Sequence, residues 1–93
     1  MIGILTVHLR LPGCSSLKEK RSYIKPLLAR LHRKFNLSVA ELGLQDDLDH
    51  AVLACAIVGN DRRFLQAALA NVETWIGANW RDGMIVEVKT DLA

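Results

Sequence analysis

Gly3-Ile4-Leu5-Thr6-Val7-His8-Leu9-Arg10-Leu11 alternates, with Leu5, Val7, Leu9 and Leu11 on one side and Ile4, Thr6, His8 and Arg10 on the other. A period of two is the mark of a strand with one buried face. Pro12-Gly13 supplies a turn, and Ser16-Leu17-Lys18-Glu19 has the spacing of a capping box, in which serine and glutamate side chains satisfy the free amides of a helix start. A helix therefore begins at Leu17 and closes at Asn36. Within it Leu17, Ile24, Leu27, Leu28, Leu31 and Phe35 form one stripe, while most of the basic residues fan across the opposite side. Pro26 lies inside this pattern. An internal proline removes a backbone hydrogen bond and costs about 3 kcal/mol in an ideal helix. The stripe nevertheless keeps its phase on both sides of it, which predicts a kink and not a break.

The remaining elements follow from this strand and helix. Leu37 to Leu42 reads as a short strand, and Gly43 to Asp49 is a polar, turn-rich connection. His50 to Val58 is the strongest strand in the sequence. Asn60 or Asp61 caps a second helix carrying Phe64, Leu65, Ala68, Leu69, Val72, Trp75 and Ile76 at helical spacing, which the glycine-bearing stretch from Gly77 to Gly83 ends. Met84 to Thr90 alternates again, with Met84, Val86 and Val88 opposed to Ile85, Glu87 and Lys89. The order is βαββαβ. Two βαβ halves with right-handed crossovers fold most simply into a ferredoxin-like α+β sandwich, a four-stranded antiparallel sheet with both helices on one face and the first and third strands central. The 93 residues are expected to form a single domain, 1–93.

At 51% hydrophobic and 24% charged, the chain is too apolar for disorder and lacks the long apolar runs of a membrane protein. The apolar start is interrupted by Thr6, His8 and Arg10 with no small-residue cleavage pattern after it, which predicts no secretory signal and a cytoplasmic location. Cys14 and Cys55 lack the paired spacing of a metal knuckle or redox motif and read as reduced thiols. The net charge of +2 conceals segregation. Ser16 to Asn36 holds seven basic residues against Glu19 alone, a balance of +6, and the rest of the chain carries five basic against nine acidic, a balance of −4.

Ser16-Leu17-Lys18-Glu19-Lys20-Arg21-Ser22, Phe35-Asn36-Leu37-Ser38-Val39-Ala40-Glu41 and Gly59-Asn60-Asp61 together resemble the YlxP-like family of small bacterial proteins, over essentially the whole length. Members of that family largely lack an assigned activity. Their genes often lie beside those of translation initiation and ribosome maturation factors, so the resemblance implies a connection to RNA or the ribosome.

The residues themselves point the same way through charge. Lys18, Arg21, Lys25 and Arg33 lie on the solvent side of the helical wheel, where clustered positive groups attract phosphate backbones. Lys20 and Lys34 flank the apolar stripe and are expected to lay their methylenes over it. The competing explanation is an ordinary solvated helix face. A sheet-face mode of RNA binding would need aromatic side chains on the two central strands, whereas Thr6, His8, Ala54 and Ala56 are expected there. The leading expectation is a non-enzymatic accessory factor that meets structured RNA or a ribosomal particle through its first helix.

The alternative is a homodimeric protein-interaction or small-ligand regulatory module using the open sheet face. Its candidates are Ile2, Ile4, Val52, Ala54, Ala56, Val58 and Ile85, with Ile4, Ala54, Ala56 and Ile85 central to a dimer face. The opposite assignment, with Leu53, Cys55 and Ile57 on that face, alternates equally well.

His8 and His50 are placed to approach one another on antiparallel central strands, with Asp47 and Asp49 near in sequence, but two histidines supply too few ligands for a metal. Cys14 enters a helix start where backbone amides with Lys18 or Lys20 would favour a thiolate, yet no base completes a nucleophilic set, and Ser15 and Ser16 are better explained as caps. Trp75 and Trp80 are expected to serve in core and rim packing. Neither cofactor nor metal is expected, and no catalytic residue is assigned.

Overall fold

The computed structural model describes residues 1–93. The elements are β1 (Ile2–Arg10), α1 (Leu17–Lys34), β2 (Ser38–Gly43), β3 (His50–Val58), α2 (Arg62–Asn79) and β4 (Met84–Leu92). The strands form one antiparallel sheet in the order β2-β3-β1-β4, so β1 and β3 are central. The fold is the ferredoxin-like α+β sandwich that the βαββαβ order implies.

Each boundary has a local cause. Gly13 takes a positive φ of 85° in the Pro12-Gly13 turn, a conformation that glycine adopts without steric cost. Ser16 caps α1, its hydroxyl accepting from the Glu19 amide at 3.1 Å. The reciprocal arm of the capping box is displaced by one residue, because the Glu19 carboxylate accepts from the Ser15 hydroxyl at 2.8 Å. Helix α1 runs unbroken through Pro26, and Phe35, not Asn36, is its C-cap. Asp61 is the residue that caps α2, accepting from the Arg63 amide at 3.0 Å.

The helices cover the face formed by Leu5, Val7 and Leu9 of β1 and Ala51, Leu53, Cys55 and Ile57 of β3, all buried. Ile24, Leu27 and Leu31 of α1 and Leu65, Leu69, Val72 and Ile76 of α2 close the core, with Trp80 at one rim. Phe64, grouped by spacing with the α2 stripe, instead stands 57% exposed. Between the helices, Phe35 meets Trp75 edge-on at 5.9 Å, and the Arg30 guanidinium lies 5.0 Å over the Trp75 ring.

Two bulges set which residues face outward. In β4 the pairing passes from His8↔Glu87 to Leu9↔Ile85, leaving Val86 as the extra residue. Directly paired residues in an antiparallel ladder share a face, so Ile85 joins buried Leu9 on the helix side and packs against the core. The expectation that Ile85 belongs to the open face is thereby corrected. In β2 the pairing passes from Glu41↔Leu53 to Gly43↔Val52, and Leu42 is the unpaired residue.

Candidate functional site

The outward face of α1 carries Lys18, Arg21, Lys25 and Arg33, each exposed to solvent. Their spacings of three, four and eight residues keep them within one side of a helix of 3.6 residues per turn. The chain holds a single ion pair within 4.0 Å, between Lys20 and Glu41, so none of the four outward cations is neutralised internally. Glu19, the one carboxylate in the helix, is turned toward Ser15.

Lys20 departs from its expected role. It does not lie along the surface but is 1% exposed, one of the most deeply buried side chains in the protein. Its ammonium group donates to the Leu44 carbonyl at 2.7 Å and the Asp47 carbonyl at 2.8 Å, and Glu41 Oε2 lies 3.1 Å away. That third approach is close but badly aligned, so Oε2 receives charge without a directed hydrogen bond. A buried ammonium is tolerated only with such compensation.

Lys20 thus fixes the β2–β3 connection. Leu44 sits at φ 59°, a strained value for a leucine, with its carbonyl aimed at Lys20. Asp47 completes the loop by accepting from the amides of Asp49 at 2.8 Å and His50 at 3.1 Å. Those bonds, the Asp49 amide foremost, hold the Asp47 carboxyl below the usual carboxylate range, against a smaller opposing effect of desolvation. Periodicity hides this arrangement because lysine is read as polar. The available signal is that Lys20 falls on the helix's inward side while Glu41 interrupts the inward face of a strand.

On the open sheet face, Ile2, Ile4, Ala54, Ala56, Val52 and Val58 project away from the helices. Leu53, Cys55 and Ile57 face the core, so the opposite assignment of β3 does not hold. Ile4, Ala54 and Ala56 are therefore together, and Ile85 is not with them. Thr6 and His8 also lie on this face. His8 Nε2 and His50 Nδ1 are 2.9 Å apart, one ring donating and the other accepting. The Asp47 carboxylate binds the His50 backbone instead of its ring. A depression of about 160 Å³ beside this pair is lined by Thr6, His8, Val52, Glu87 and Lys89. No three His, Cys, Asp or Glu side chains gather in a metal-binding arrangement.

Neither cysteine is activated. Burial, followed by the charges of Glu19 and Asp49, pushes the Cys14 thiol up, with Lys20 opposing only weakly. The thiolate suggested by its place at a helix start is thus disfavoured. Burial pushes the Cys55 thiol up to about 11. No helix is long and apolar enough to cross a membrane.

A second concavity, of about 220 Å³, opens where α1 ends, α2 begins and β3 terminates. Its lining includes Phe35, Asn36, Ile57, Val58, Phe64 and Asn71. An adjoining groove of about 310 Å³ runs past Asn36 to His32, Leu37 and Ser38. Reading by element misses this place, since its residues come from three separated segments. The visible hint is that both aromatics follow a basic pair, Arg33-Lys34-Phe35 and Arg62-Arg63-Phe64.

Two comparisons with known proteins bear on identity. The chain is 34% identical over 79 residues to the uncharacterized protein YlxP of Bacillus subtilis (strain 168), covering 81% of this chain and 86% of that protein. Residues 2–90 match the family model described as "Protein of unknown function (DUF503)". The stretches that prompted the YlxP-like resemblance lie within this span, and the chain belongs to that family.

Proposed function

We propose that the protein is a non-enzymatic, cytoplasmic accessory factor that binds structured RNA, free or within a ribosomal particle, through the outward face of α1. The observation that carries this reading is the set of Lys18, Arg21, Lys25 and Arg33, all exposed and none paired with a carboxylate of the chain. Positive groups held on a rigid helix at fixed spacing suit a regular phosphate backbone, and they act by releasing its condensed counterions. The central strands carry no aromatic ring apart from His8 and His50, which supports backbone contact over stacking on the sheet.

The test is fluorescence anisotropy with a fully paired RNA hairpin at increasing salt. Four phosphate contacts give a slope of log affinity against log salt of about −3 to −4. Replacing Lys18, Arg21, Lys25 and Arg33 together with glutamine abolishes binding while the circular dichroism spectrum stays unchanged. Salt-insensitive binding, or undiminished binding by that variant, contradicts the proposal.

A second reading rests on the open sheet face, where Ile2, Ile4, Ala56 and Val58 form an apolar patch with no partner in the chain. Another copy of the chain is the natural occupant, because a self-complementary contact closes on itself as a dimer. Sedimentation equilibrium at high protein concentration decides it, and a strict monomer excludes it.

A further inference from the structure

The cleft between the end of α1 and the start of α2 sets walls that the core holds in place, Phe35 and Ile57, beside side chains exposed to solvent, Asn36, Val58, Phe64 and Asn71. Phe64, a large aromatic side chain, is 57% exposed. Phe35 is half-buried and held edge-on by Trp75, which fixes its ring as a wall. The exposed amides of Asn36 and Asn71 line the same space, and each presents both a donor and an acceptor. Ile57 and Val58 add an apolar surface.

The chain segments that lead into this cleft are also basic. Arg33 and Lys34 immediately precede Phe35 and Asn36, Arg62 and Arg63 immediately precede Phe64, and all four are exposed. The nearby carboxylate, Asp61, is committed to capping α2 through the Arg63 amide. Arg33 belongs as well to the outward basic face of α1, so the cleft continues that surface at its C-terminal end.

We propose that this cleft holds a single unstacked nucleobase, a bulged or loop nucleotide of the RNA whose paired region lies along α1. The inference rests on the function proposed above and adds to it a site of base recognition. Aromatic side chains supply a stacking surface that any base satisfies. Paired amides answer the mixed donors and acceptors of a base edge, and the exposed cations that precede Phe35 and Phe64 in the chain add attraction for the phosphates that lead into and out of the nucleotide. An aliphatic chain would leave the amides unanswered. An acidic peptide would have no general use for two amides facing a stacking surface.

The experiment uses the intact protein, isotopically labelled, and two RNA hairpins that differ only by one unpaired nucleotide in the stem. Adenosine 5′-monophosphate is expected to shift the side-chain amide resonances of Asn36 and Asn71 and the ring resonances of Phe64, whereas inorganic phosphate leaves them in place. The bulged hairpin is expected to bind about tenfold more tightly than the paired one, the lower part of the range for one base stacked on an aromatic side chain. Phe64→Ala, at an exposed position, removes that gain and leaves affinity for the paired hairpin unchanged, and Asn71→Ala reduces it.

Equal affinity for the two hairpins overturns the proposal, as does a gain that survives Phe64→Ala. Cleft resonances that move with a tryptophan-bearing acidic peptide and not with the nucleotide assign the cleft to a protein partner and also overturn it. Failure of the helix reading is distinct, because it appears as paired-hairpin binding that is insensitive to Lys18→Gln, Arg21→Gln and Lys25→Gln.

Discussion

The two ends of β3 make opposite use of polar groups. At the His50 end, a buried ammonium donates to two loop carbonyls and is charge-paired with Glu41, the Asp47 carboxylate accepts from two loop amides, and the loop from Leu44 to Asp49 is closed on itself. At the Val58 end, exposed Phe64 and two asparagine amides face a cleft, beside Phe35, with no hydrogen-bond partner for the amides inside the chain. Groups answered internally hold the fold, while groups left unanswered on a rigid frame are available to a partner. The same contrast separates neighbouring lysines of one helix. Lys20 is consumed by structure, and Lys18, two residues away, stands in solvent.

The sharpest way to break this contrast is to remove the buried cation. Lys20→Ala strands Glu41 and two carbonyls, and the loss of one partner from a buried pair costs about 3 kcal/mol or more. Urea denaturation is expected to show that loss, and a variant as stable as the wild type would reduce the cage to an incidental contact. Outward Lys18→Ala, by contrast, changes stability by less than about 0.5 kcal/mol.

Gly83 offers a slightly smaller effect at the same end of β1. A Cβ there would stand 2.9 Å from the Trp80 ring and closer still to the Arg10 carbonyl oxygen. Gly83→Ala is therefore expected to cost about 2 kcal/mol by overpacking, read from the same denaturation midpoint. An unchanged midpoint would mean that the turn before β4 relaxes freely.

The Asp47 carboxyl adds a pH signature to the closed end. Its value is lowered by folding, so its stabilising effect is present at neutral pH, above the unfolded carboxylate range. It is lost as pH falls through the still lower folded value. The backbone amide resonances of Asp49 and His50 should titrate together in that acid window, and Asp47→Ala should remove the transition. A titration that survives the substitution assigns it to another carboxylate.

The smallest effect has the opposite sign. Leucine at φ 59° is strained, and Leu44 is substantially exposed, so little burial is lost on its removal. Leu44→Gly is expected to raise stability by up to about 1 kcal/mol in thermal denaturation. Destabilisation would indicate that the leucine side chain contributes packing beyond its visible exposure.

Much of this architecture is legible in the sequence because local signals agree there. The alternation of β1 and β3, the Ser16 cap, the phase preserved across Pro26 and the βαββαβ order point to one fold. Ala54 and Ala56 are assigned to the open face only once the burial of Leu53, Cys55 and Ile57 excludes the opposite alternation, whereas the open-face position of Ile4 follows from the pattern of β1. The placement of Ile85 does not follow from its strand's pattern, since the extra residue Val86 reverses the phase of the strand, and no two-residue pattern reports a bulge. The same limit hides Lys20, whose burial depends on carbonyls 24 and 27 residues away. The basic face of α1 needs only helical periodicity and is readable, whereas the cleft joins three distant segments through tertiary packing.

The most direct measurement of the central claim is a chemical-shift map of the labelled protein with a bulged RNA hairpin. Perturbations are predicted along the outward residues of α1, from Lys18 to Arg33, and onward into Asn36, Phe64 and Asn71. The loop from Leu44 to Asp49 should be silent. Perturbations confined to that loop or to the open sheet face, or none at all, would contradict the account.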